Sequence, residues 1–136
     1  MSRAPVIVPE LSEITAPYWE GARVGTLLLQ TCRDCGTAWH PPQPICPQCQ
    51  SSAVDWQPAT GKGTLYSYTI VHHAVHSAVE DHLPYLVALV DLAEGPRIIT
   101  TVIGASDTLR VGMQLTVAFR PIPDSHLRLP VFEPAG

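Results

Sequence analysis

Four cysteines decide most of what this chain can be. They are the only ones in 136 residues, and they form two matched pairs, Cys32/Cys35 and Cys46/Cys49, with ten residues between the pairs. Two residues between thiols let one tight turn aim both sulfurs at one point. Two such turns facing each other supply four thiolates in a tetrahedron, the closed arrangement that a structural Zn²⁺ prefers. Gly36 follows the first pair, where a knuckle turn needs the positive backbone angle that glycine adopts freely, and Pro47 stiffens the second pair. Two disulfides would suit a small secreted protein, but residues 1–10 lack the charged-then-apolar layout of a secretory signal. A redox pair would not need a second copy at this range. Metal binding is therefore expected, with Zn²⁺ first and iron as the alternative for the same ligands. Sulfur at all four positions leaves no place for water or substrate, so the metal should hold shape rather than do chemistry. Sites of this kind bind with about 10–16 kcal/mol, enough to fold a loop-rich segment that has little core. Reduced cysteines without a signal point to the cytoplasm.

The 14 prolines and 9 glycines imply many turns and short strands, not long helices. A hydrophobic fraction of 46% against 15% charged residues is that of a globular, rather apolar chain, and no apolar run is long enough for a membrane span. The formal net charge is −4, and Lys and Arg form no cluster. Nucleic-acid binding depends on a basic patch that neutralises phosphates, so it is not expected.

The chain divides into an N-terminal segment (1–25), a metal ribbon (26–59) and a β domain (60–136). A short helix is expected between Leu11 and Val24, with Thr15 as N-cap and Pro17 in the first turn. Leu11, Ile14, Tyr18 and Ala22 would share one face. Tyr18 and Trp19 either pack on the chain's own core or dock on a partner, since such residues are enriched at interface centres. Thr26–Gln30 reads as a strand leading into the first knuckle, Trp39 as a cover for the metal site, and Val54–Trp56 as the return strand. His40 is near the cysteines but is not expected to be a ligand, because four thiolates already satisfy the metal.

Beyond Gly61-Lys62-Gly63, read as a hinge, the pattern changes to period two. Strands are expected at Thr64–Val71, Tyr85–Leu92, Arg97–Ile103, Gln114–Arg120 and around Leu127–Phe132. Alternation would put Tyr66, Tyr68 and Ile70 on one face. Five short strands suggest a small barrel of the OB type, with an SH3-like barrel or a sandwich left open by periodicity alone. The longest irregular stretch, His72–Pro84, carries His72, His73, His76 and His82. It lacks a paired ligand motif, so a loop closing on a partner or ligand is expected there rather than a second metal site. No Ser/His/Asp or paired-carboxylate motif stands out, and the cysteines are committed to metal, so the chain is not expected to be an enzyme on its own.

Taken in order, these residues resemble a known family. They are Tyr18-Trp19, the run from Leu28 through Cys32 and Cys35 to Gly36, Pro41-Pro42, Cys46/Cys49, the run Gly61 to Tyr68, the run Pro84 to Leu92, Gly95-Pro96-Arg97, and Leu129 to Phe132. The chain is similar over residues 11–133 to the zinc-ribbon (rubredoxin-like) plus OB-fold proteins of domain-of-unknown-function family 35. It departs at Gln43, where the family usually has arginine. The resemblance implies a non-catalytic accessory subunit, in a hetero-oligomer with a thiolase-like enzyme or a hydratase of acyl-CoA metabolism. In that setting Tyr18 and Trp19 are candidates for partner contact. Tyr66, Tyr68, Lys62 and Arg97 are candidates for ligand contact, with Lys62, Arg97 or Arg120 on the phosphates of an acyl-CoA. The competing readings are a single-stranded nucleic-acid binder stacking bases on Tyr66 and Tyr68, and a stand-alone acyl-CoA binder.

Overall fold

A computed structural model describes residue 9 and residues 11–73, 83–104 and 107–135. The chain runs through one helix, α1 (Ala16–Arg23), and eight strands: β1 (Leu28–Cys32), β2 (Ala38–Trp39), β3 (Val54–Pro58), β4 (Lys62–Val71), β5 (Tyr85–Leu92), β6 (Arg97–Thr100), β7 (Gln114–Pro121) and β8 (Arg128–Pro134). It is mainly β, as the turn-rich composition required. Among the described residues no helix is long and apolar enough to cross a membrane.

The helix starts differently from the sequence expectation. Thr15 stands at the N-cap position, yet it has helical backbone angles and its side chain caps nothing further along. Its hydroxyl instead accepts from the Ser12 amide at 3.2 Å, while the Thr15 amide donates to Ser12 Oγ at 3.2 Å. This is the reciprocal geometry of a capping box, with Ser12 as the capping residue. The helix proper begins only at Ala16, so Leu11 and Ile14 lie before it and stay exposed, while Tyr18 and Ala22 are buried as expected.

The first sheet is the ribbon, in the order β2-β1-β3. The second has five strands in the order β6-β5-β4-β7-β8, all antiparallel. Its two edge strands come together through a parallel bridge between Val102 and Phe132. The Ile103 amide donates to the Phe132 carbonyl at 2.8 Å, and the Phe132 amide to the Thr101 carbonyl at 3.0 Å. The sheet therefore curls into the partly closed barrel of an OB-like fold, which protects its edges.

One apolar core joins the units. Leu65, Ala88, Val90, Leu92, Ile98, Leu115 and Phe132 fill the barrel, and Tyr18, Leu27 and Leu29 belong to the same cluster. Gly61 and Gly63 sit at this joint and are packed rather than hinged. A Cβ on Gly63 would lie 2.5 Å from a Val90 methyl, and one on Gly61 2.5 Å from a Val117 methyl. The period-two reading of β4 fails at one point. The β4–β5 register shifts between Leu65 and Ser67, so Tyr66 is the extra residue of a bulge. Beyond it the alternation is reversed: Tyr68 stands opposite Ala88, on the barrel side, whereas Tyr66 faces outward.

Candidate metal centre and adjoining cleft

The two knuckles have the same backbone design. In each, the residue after the second cysteine is left-handed, Gly36 at φ 78° and Gln50 at φ 65°. In each, the amide of that residue donates to the carbonyl of the first cysteine at 2.9 Å (Gly36 to Cys32, Gln50 to Cys46). The first cysteine's own amide donates back to Thr37 or Ser51, also at 2.9 Å. Glycine makes this turn without strain in the first knuckle, and Gln50 accepts it in the second. A side-chain bond from Ser51 to Asp34 ties one knuckle to the other, and Arg33 pairs with Asp55 at 3.1 Å to fasten the first knuckle to β3.

Together the turns bring the four sulfurs within 4.8 Å of one another. Cys32 and Cys49 are 3.5 Å apart and Cys35 and Cys46 3.6 Å, and all four are free thiols. A tetrahedral ion with metal–sulfur bonds of about 2.3 Å needs sulfurs about 3.8 Å apart. The four cysteines are thus positioned for metal binding, and their geometry fits an ion of that size. Hydrogen bonds reinforce the fit. Cys46 receives the Gln48 and Cys49 amides at 3.3 and 3.5 Å. Cys32 receives the amides of Cys35 and Asp34, and Cys49 that of Ser51. The Thr37 hydroxyl, then its amide, hold Cys35 at about 6. Cys49 keeps the help of the Ser51 amide, yet the sulfur of Cys32, burial, and the sulfurs of Cys35 and Cys46 push it up to about 12. Four crowded sulfurs cannot all ionise unaided, and a divalent cation would supply the missing charge.

The ribbon tip has little else to fold on. Its core is Cys32, Trp39 and Cys46 with Val54 against them, so Trp39 does cover the cysteines. Behind it lies Gln30, the one buried polar residue among the described residues. Its Oε1 accepts from Trp39 Nε1 at 2.7 Å and from the Gln43 amide at 2.6 Å. One side chain therefore fastens β1, β2 and the proline-rich loop. At position 43 the structure uses the backbone, so the departure from arginine leaves this contact intact.

That loop forms one wall of a cleft of about 480 Å³. Thr15, Tyr18 and Trp19 line it from the helix, His40, Pro41 and Pro42 from the ribbon, and parts of β5, β6 and β8 from the barrel. Tyr18 and Trp19 meet edge to face at 5.1 Å, and Tyr18 lies 5.2 Å from His40. Burial pushes the Tyr18 phenol up to about 12 and the His40 imidazole down from its usual value. His40 is thus a wall of the cleft and not part of the sulfur cluster, whereas Tyr18 is mostly a core residue. Sequence reasoning missed the cleft. Its signal was the pair Ile98-Ile99: one faces the core, and Ile99 is 73% exposed beside the opening.

The other candidates do not converge. Arg97 holds Asp91 through two hydrogen bonds, at 2.6 and 3.3 Å, and its guanidinium carbon lies 3.4 Å over the Tyr66 ring. One face of Tyr66 is therefore covered and the charge of Arg97 is balanced. Tyr66 and Tyr68 form no shared stacking platform, because the bulge turns them to opposite faces. Lys62 and Arg120 are exposed, as are His72 and His73, while His76 and His82 lie outside the described residues.

Ribbon, sulfur cluster and partly closed barrel define a zinc-ribbon plus OB-fold protein as a class. The chain belongs to the ChsH2/DUF35 family: residues 19–55 match the ChsH2 rubredoxin-like zinc ribbon domain and residues 56–120 the ChsH2 C-terminal OB-fold domain. It is 41% identical over 93% of its length to a probable enoyl-CoA hydratase alpha subunit of Thermomonospora curvata, of which it spans 39%. It is 34% identical over 68% of its length to a DUF35 domain-containing scaffold protein of Methanocaldococcus jannaschii, of which it covers 67%. It is 26% identical to the benzoylsuccinyl-CoA thiolase subunit BbsA of Geobacter metallireducens, over 85% of this chain and 70% of that one. A chain of the Ltp2-ChsH2(DUF35) aldolase superposes with a TM-score of 0.82 at 41% identity, covering 95% of this chain and 100% of that one.

Proposed function

We propose that this chain is a non-catalytic accessory subunit of an acyl-CoA-processing enzyme of the thiolase, aldolase or hydratase kind. The observation that carries the reading is that one small frame recurs in relatives named as subunits of three different enzymes. A part that stays constant while the chemistry changes is a part that holds rather than reacts. In this reading Zn²⁺ is held by Cys32, Cys35, Cys46 and Cys49 and acts as a clip, keeping β1, β2 and the proline loop in register. It supplies no open coordination position. Partner contact falls on Trp19 and on the exposed Leu11 and Ile14 before it, since Tyr18 is committed to the core. Should an acyl-CoA reach this chain, Lys62 is the better phosphate contact, because Asp91 already balances Arg97. The test is co-expression with a thiolase-, aldolase- or hydratase-like acyl-CoA enzyme of the same organism. The two should co-elute in size-exclusion chromatography, with the enzyme less active alone. Separate elution with a fully active lone enzyme would refute the reading.

A further inference from the structure

Closure of β6 on β8 covers the two ends of the five-stranded sheet, but an inner strand overruns its neighbour. β4 extends from Lys62 to Val71, and β7 pairs with it only at Lys62–Thr64. Two more backbone bonds end that contact: the Leu65 amide donates to the Met113 carbonyl at 3.0 Å, and the Gly112 amide to the Leu65 carbonyl at 2.8 Å. From Ser67 to Val71 the strand pairs with β5 alone. On its other side it has no backbone partner among the described residues. An open edge of this kind is a template for another strand, and proteins guard such edges with charges or proline. Open edges elsewhere in the chain carry those guards, Asp55 and Pro58 on β3, Arg120 and Pro121 on β7. The β4 overhang, Ser67-Tyr68-Thr69-Ile70-Val71, has neither. Tyr68 and Ile70 share its barrel side, yet they are 39% and 43% exposed where β7 no longer lies beside them.

We propose that this overhang is a self-association site, at which two copies of the chain pair their β4 edges antiparallel about a two-fold axis at Thr69. That register sets Tyr68 of each copy opposite Ile70 of the other, and Ser67 opposite Val71. An aromatic ring facing a β-branched side chain is a favourable cross-strand pair, and the two-fold axis makes it twice. The two β4–β5 hairpins become one four-stranded antiparallel sheet that covers both exposed side chains. Charge selects this occupant. A charged strand would lie against an edge that offers no counter-charge, whereas a second copy brings no charge and meets no repulsion across the axis. The edge lies on the far side of β5 from β6, and the proposal does not rest on the accessory-subunit reading.

The test is sedimentation equilibrium of the metal-loaded full chain. Five paired residues make a small interface, so a reversible dimer with Kd on the order of 100 µM is expected. Thr69 is exposed, and Thr69→Lys or Thr69→Glu places two like charges opposite each other at the axis. Either variant alone should dimerise at least tenfold more weakly, with an unchanged far-UV circular dichroism spectrum. An equimolar mixture of the two should dimerise at least as tightly as wild type, because each charge then faces its opposite. Ile45→Lys, at a 47% exposed position in the ribbon, should dimerise as wild type. A wild-type chain that stays monomeric into the millimolar range overturns the proposal. So does a Thr69→Lys variant that dimerises unchanged, or a mixture no tighter than either variant alone. If wild type is monomeric and Thr69→Lys abolishes assembly with the acyl-CoA enzyme, the edge takes a strand of that enzyme: the proposal falls and the subunit reading stands. If the dimer behaves as expected and no enzyme complex forms, the proposal stands and the subunit reading falls.

Discussion

Gln30 is the residue whose replacement most clearly exposes how the ribbon is built. It is 4% exposed and satisfies two donors at once, the Trp39 indole at 2.7 Å and the Gln43 amide at 2.6 Å. Gln30→Leu keeps the bulk and removes the acceptor. Each stranded buried donor costs about 1–3 kcal/mol, so a loss of about 3 kcal/mol is expected, somewhat less if the loop amide finds water. Trp39→Phe removes one donor and some volume beside Cys32 and Cys46, for about 2 kcal/mol. Because the two share one hydrogen bond, the double variant should fall short of additivity by about 1 kcal/mol. Urea unfolding with free zinc held constant measures all three, since metal activity itself shifts stability. A Gln30→Leu change within about 0.5 kcal/mol of wild type, or strict additivity, would refute the claim that this side chain fastens three segments.

Other expectations follow from single contacts. Cys46→Ser should lose the metal and unfold the ribbon tip while far-UV circular dichroism retains much of the barrel, because the cluster around Cys46 is separate from the main core; retained metal stoichiometry would contradict this. Gly63→Ala places a methyl 2.5 Å from Val90 and should destabilise by about 1–3 kcal/mol in urea, with no loss of metal. The hydrogen bond from Arg97, and then its charge, hold the Asp91 carboxyl below its usual value. A depressed folded-state value stabilises above about pH 4 and is lost as pH falls through it. Melting curves of wild type and Asp91→Asn should therefore differ slightly at pH 7 and draw together as the pH falls below about 4, and a gap that widens on acidification would reverse the argument.

The metal centre was legible because its determinants are local: the spacing of each cysteine pair and the glycine after the first fix the knuckles before any tertiary contact forms. The positions of the barrel strands along the chain were legible from turn residues and alternation for the same reason. What escaped depends on atoms far apart in sequence. The bulge at Tyr66 is a matter of register against β5, and one extra residue separates Tyr66 and Tyr68, which alternation alone put on one face. The helical face assigned to Leu11 and Ile14 failed because both lie in or before the capping turn that Ser12 and Thr15 close, ahead of the regular helix that begins at Ala16. The cleft needs the helix, the proline loop and three strands at once, so only Ile99 hinted at it. Of the His72–Pro84 loop, His76 and His82 fall outside the described residues.

The central claim is that a sulfur-bound ion shapes a frame that a partner enzyme grips. Native mass spectrometry of the chain co-expressed with its acyl-CoA enzyme tests this directly. A complex carrying one zinc per copy of this chain, which dissociates when a chelator strips the ion, is the predicted result. A complex that survives metal loss intact, or two components that never associate, would contradict it.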